Sequence, residues 1–86
     1  MEFSRNDVII GIIMPNNWDE SGRVIEIALY TYKEEVYAVE PNRLIQDLTN
    51  LIYKTVEIKG KIKVHADGHR SVAARNYILI EKFVDE

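Results

Sequence analysis

The sequence predicts a mostly β fold with one α-helix: a five-stranded barrel in the order β-β-β-α-β-β. Three observations predict it. Five separate stretches have the hydrophobic rhythm of strands, and the stretch between the third and fourth has helical spacing instead. Glycine also interrupts the first and fourth strand-like stretches, where the strands of a small barrel must bend around their core. At 86 residues the chain is long enough for one domain, so residues 1–86 are read as a single unit.

Each element follows from its residues. Residues 1–7 are polar and are read as a frayed tail. From Val8 to Met14 both alternating sets are apolar, which predicts a strand covered on both faces, with Gly11 at a bend. Pro15 to Gly22 has loop composition. Arg23 to Tyr32 alternates, with Ile25, Ile27 and Leu29 facing the core and Glu26, Ala28, Tyr30 and Tyr32 facing out. Val36 to Val39 is a short third strand in which the direction of Tyr37 stays open. Asn42 is placed to cap a helix over Arg43 to Tyr53, whose stripe of Leu44, Ile45, Leu48, Leu51 and Ile52 suits a plug across one barrel end.

The fourth strand has the cleanest pattern. Val56, Ile58, Gly60, Ile62 and Val64 alternate with Glu57, Lys59, Lys61, Lys63 and His65. Ser71 to Val84 supplies the fifth strand. A three-residue loop, Ala66-Asp67-Gly68, turns Val72, Ala74, Ile78 and Ile80 inward and leaves Arg75 and Glu81 in water. It also turns Asn76 inward, an awkward place for an amide. A loop of two or four residues would bury Arg75, which is far more costly. This register sets Lys59 opposite Arg75, Lys61 opposite Ala73, Lys63 opposite Ser71 and His65 opposite His69.

Composition narrows the function. A hydrophobic content of 47% fits a folded chain. With no cysteine, neither a disulfide framework nor a thiolate zinc site is available. Val8 to Met14 is too short to span a membrane, and acidic Glu2 and Asp7 precede it where a secretion signal wants cations. The cytoplasm is the expected location, with no membrane partner. Net charge is −3, but it is unevenly spread. Residues 1–53 carry four basic and nine acidic side chains; residues 54–75 carry six basic and two acidic.

The element order, with Gly11-Ile12-Ile13 and Val56-Glu57-Ile58-Lys59-Gly60-Lys61-Ile62, resembles the oligonucleotide/oligosaccharide-binding (OB) fold and the small bacterial domains of that type. The likeness runs from Val8 to about Val84. It implies a ligand face on the second and third strands, flanked by the loops joining strands one–two and four–five. On this chain that face carries Tyr30 and Tyr32, with Trp18 in the first of those loops. The resemblance also sets strand five beside strand three, bringing the tyrosines near the basic hairpin.

The candidate site is therefore Lys59, Lys61, Lys63, Arg75 and His69 for an anion, with Tyr30, Tyr32 and Trp18 for stacking bases. Opposed like charges destabilise a sheet, and an anion would relieve them. Lysines are also the commonest way to keep strand edges soluble, and half-buried tyrosines often serve cross-strand packing. His65 and His69 with Asp67 fall short of the three or four ligands of a stable metal site.

Catalysis has little support. Ser4, Ser21 and Ser71 lie in tail or turn contexts, and no glycine-rich phosphate cradle exists. The expected function is a non-enzymatic binding module without a cofactor, for single-stranded nucleic acid or another anionic ligand. The alternative is a protein-interaction or weakly self-associating module. Spare apolar residues such as Ile10, Ile12 and Leu79 would then meet a second molecule, unless Phe3 and Phe83 fold over them.

Overall fold

A computed structural model describes residues 3–80 of the chain. Five strands, β1 (Phe3–Trp18), β2 (Val24–Tyr30), β3 (Val36–Val39), β4 (Thr55–Val64) and β5 (Arg70–Leu79), and one helix, α1 (Ile45–Thr49), follow in the expected order. The strands close into a barrel in the spatial order β1-β2-β3-β5-β4, with β4 returning to β1. All neighbours are antiparallel except β3 and β5, which run parallel. Ten rungs join β1 to β4, whereas β3 and β5 meet at two, Ala38↔Ser71 and Val39↔Val72. No helix among the described residues is long and apolar enough to cross a membrane.

The core is built from the inward residues of every element. Ile13, Ile27, Leu29, Val56, Ile58, Ile62 and Val72 are sealed from solvent together with Leu48 of α1. Tyr37 also points inward, and its hydroxyl donates to Glu35 Oε1 at 2.9 Å. Burial and that carboxylate push the Tyr37 phenol above its usual range. Gly11 and Gly60 mark the bends. A Cβ at Gly60 would lie 2.2 Å from the Ala73 carbonyl oxygen, and one at Gly11 2.5 Å from that of Tyr30. Only the absence of a side chain lets these backbones approach so closely.

Several boundaries differ from expectation. Residues 3–7 are not a frayed tail: Phe3 to Asp7 pair with Val64 to Gly60 and lengthen β1 to 16 residues. Strand pairing also runs past Pro15 to Trp18, through two register shifts opposite β2, so Trp18 lies on a strand rather than in a loop. The turn that follows is held by Asp19. Its Oδ1 accepts from the Ser21 hydroxyl and from the Ser21 and Arg23 amides, which holds its pKa below 3.8. Ile25 is 54% exposed, because β3 is too short to cover that end of β2.

The helix is shorter than its apolar stripe. It has five residues rather than eleven, and the chain turns on to Tyr53, whose φ is 73°. The Thr49 hydroxyl donates back to the Ile45 carbonyl, and Leu51 bonds three residues back to Leu48, so the coil tightens and ends. Tyr53 N–H then reaches the Ile13 carbonyl of β1. Asn42 does not cap α1, whose N-cap is Leu44. Its Oδ1 instead accepts from the Leu44 amide, and its Nδ2 donates to the Ala74 carbonyl of β5.

The β4–β5 hairpin has the expected three-residue loop, with Gly68 at φ 90° and His65 N–H donating to the His69 carbonyl. Lys61↔Ala73 and Lys63↔Ser71 stand as expected, but Lys59 pairs with Asn76 and not with Arg75. Arg75 is the extra residue of a bulge between the Lys59 and Gly60 rungs. The bulge reverses the facing of all that follows. Asn76 turns out to water, Tyr77 pairs with buried Ile58, and Ile78, expected inside, is 54% exposed. Glu81, Phe83 and Val84, all part of the expected last strand or its cover, lie outside the described residues.

Candidate nucleic-acid interface

The long β1 makes the site. Its outward residues Ser4, Asn6, Val8, Ile10 and Ile12 stand beside Lys63, Lys61, Lys59, Glu57 and Thr55 of β4. On the far side of β4 these meet Ser71, Ala73, Asn76 and Ile78. One outer surface of β1, β4 and β5 thus grades from lysines at one end to apolar side chains at the other.

At the basic part, Asn6, Val8, Lys59, Gly60, Arg75 and Asn76 border a groove of about 530 Å³, together with Asp7. Arg75, the extra residue of the bulge, lines it together with Lys59. Among the described residues no ion pair engages Lys59, Lys61 or Arg75. Asp7 is already engaged. Its Oδ1 accepts from the Val8 amide and its Oδ2 from Arg5, and both bonds hold its pKa below 3.8. The groove therefore offers two cations and two side-chain amides, an arrangement suited to phosphate.

Four residues further along β1, roughly 13 Å away at the rise of a strand, lies a second depression. Ile10, Ile12, Tyr30, Thr31, Tyr32 and Thr55 line its volume of about 300 Å³. Tyr30 stands opposite Ile12 and faces out, and Tyr32 is 85% exposed. The tyrosines and the basic groove therefore share a face through β1, and not through the β3–β5 pair.

Three expected members lie elsewhere. Trp18 pairs with Val24 at the far end of β2, six residues or roughly 20 Å from Tyr30. Lys63 is neutralised by Glu40, 3.3 Å away. His69 is in the hairpin loop, where Asp67 accepts from its amide at 2.9 Å and faces its Nδ1 at 3.5 Å. That amide bond is the main cause holding the Asp67 pKa below 3.8. No group of three metal-ligating side chains occurs among the described residues.

Sequence reasoning also missed a polar cluster. The Ser71 hydroxyl, nearly buried, donates to Glu40 Oε2 at 3.0 Å and lies 3.0 Å from His65 Nε2, which therefore donates to it. In a nucleophilic relay the imidazole takes the hydroxyl proton and the acid orients the imidazole. Here Glu40 accepts from the hydroxyl itself, and the bonds of Ser71 tie β5 to the residue that follows β3. Asn6 and Asn76 were missed for simpler reasons: a polar segment read as a tail, and a bulge that shifted the register of β5. No family model, curated protein or solved structure matches this chain.

Proposed function

We propose that the protein is a small OB-type binding module for single-stranded nucleic acid, held across the outer face of β1, β4 and β5. One observation carries this reading: cations without an ion pair among the described residues and exposed tyrosines lie at two ends of one surface, with apolar side chains between. Phosphates enter the groove of Lys59 and Arg75, while a base stacks on Tyr30 or Tyr32. Val8, Ile10 and Ile12 lie under the sugars and bases that connect them. The strand order supports the OB likeness, since strand five lies beside strand three as that resemblance implies. A net charge of −3 favours a short, localised contact over bulk coating of a polyanion.

The test is a titration of a fluorescent oligonucleotide at low and moderate salt. Lys59→Gln, Lys61→Gln and Arg75→Gln together are expected to weaken binding and flatten its salt dependence, because fewer counterions are released. Tyr30→Ala is expected to weaken binding with the salt slope unchanged. Absence of wild-type binding at millimolar protein in low salt overturns the reading, as does full binding by the triple variant.

The apolar half of the face favours a second reading, a self-associating module. Val8, Ile10, Ile12 and Ile78 are each 42–54% exposed, and Phe3, at the opposite end of β1, does not cover them. Sedimentation at about 100 µM protein separates the two readings. A dimer abolished by Ile10→Lys supports self-association.

A further inference from the structure

Among the described residues, Glu57 is the one acidic side chain on the path between the basic groove and the tyrosines. It stands outward on the rung Ile10–Glu57–Ile78, half-buried between two exposed apolar side chains. Lys59 lies one outward position away along β4, roughly 7 Å, yet no hydrogen bond or ion pair engages the Glu57 carboxylate among the described residues. A carboxylate here repels any phosphate that passes it. A carboxylate is acceptor-only, so it is satisfied by hydrogen-bond donors, and it takes two at once. On a ligand whose phosphate sits at Lys59 and whose bases run toward Tyr30, the group arriving at Glu57 is a base edge.

We propose that Glu57 makes this face selective for guanine. Guanine presents two adjacent donors, N1–H and the N2 amino group, matched to the two carboxylate oxygens. Hypoxanthine lacks the amino group and keeps one donor. Adenine sets an acceptor beside its amino group, and that acceptor faces a carboxylate oxygen. The inference rests on the nucleic-acid reading above and adds to it the identity of the base that is read.

The experiment uses the whole protein and five-nucleotide oligothymidylates carrying one central guanine, hypoxanthine or adenine. Binding is followed by fluorescence anisotropy at one low salt concentration. The expected order is guanine, hypoxanthine, adenine, with about a fivefold step from guanine to hypoxanthine, the low end of what one base-edge interaction contributes. Glu57→Gln offers one donor and one acceptor, the pattern that suits adenine, so guanine and adenine are expected to draw level or exchange places. Glu57→Ala is expected to lose the guanine preference without gaining adenine. Melting curves of both variants check that the fold is kept. Equal wild-type affinity for the three ligands, or an unchanged guanine preference in both variants, overturns the role of Glu57 and leaves the binding reading intact. Failure to bind any of the three overturns both.

Discussion

Leu48 has no exposed surface and sits where α1 meets the core strands. Truncation to alanine removes a fully buried side chain and leaves a cavity, and it is expected to cost about 2–5 kcal/mol. In a chain of this size that approaches the whole stability, so chemical denaturation of Leu48→Ala is the direct measurement. Gly60 makes the opposite point. A methyl group there meets the Ala73 carbonyl, which is backbone and cannot swing aside. Gly60→Ala is expected to cost about 1–3 kcal/mol, as overpacking does, and to perturb amide shifts around Arg75. A variant as stable as the wild type would show that the bulge yields easily.

At the scale of elements, Asn42 joins the α1 segment to the bulged strand. Its amide donates to the Ala74 carbonyl beside the bulge while its oxygen accepts from Leu44. Asn42→Ala removes both bonds and is expected to cost about 1–2 kcal/mol, read from the denaturation midpoint. Element order was legible because each element has its own hydrophobic period, and the hairpin loop because a buried arginine is prohibitive. What escaped was set by partners distant in sequence. Ser4 to Asp7, near the start of β1, are polar on both faces, and become a strand only because β4 offers them an edge. The apolar stripe from Leu44 to Ile52 suits a longer helix, yet α1 ends at Thr49 and Tyr53 N–H bonds the Ile13 carbonyl. The bulge at Arg75 has no glycine on its own strand, although Gly60 stands opposite it on β4. Its traces were Gly60 and the awkwardness of an inward Asn76, and it displaced Lys59 from its expected partner. Tyr30 and Tyr32 were read as outward and are so, but the β1 path that links them to the lysines required the length of that strand.

For the molecule as a whole, three carboxylates set an acid-side dependence of stability. Asp7, Asp19 and Asp67 are held below their usual pKa chiefly by hydrogen bonds from Val8, Ser21 and His69, respectively. A folded pKa below the unfolded one means that the contribution is present above the unfolded value and lost as pH falls through the folded one. Thermal stability is expected to be flat from neutral pH to about 5 and to decline below about 4. Asp19→Asn should make that decline shallower, since the amide cannot respond to the proton. Because Asp19 and Asp67 are exposed and Asp7 is partly so, the effect is small.

The barrel closes through two rungs between β3 and β5, reinforced from outside by the hydrogen bonds of Ser71. Such a ring does not come apart evenly. Its least costly excursion is to unclasp there while β1, β4 and the rest of β5 stay zipped, a partial opening well short of global unfolding. The Glu40 amide, bonded across the junction to the Val72 carbonyl at 2.9 Å, reports that event. Its hydrogen exchange is expected to outpace that of Ile58 in the middle of β4. Ser71→Ala should quicken Glu40 further while the difference between the two sites widens. The surface that carries the lysines and tyrosines lies on the zipped side, so a ligand can stay bound while the far side of the ring breathes.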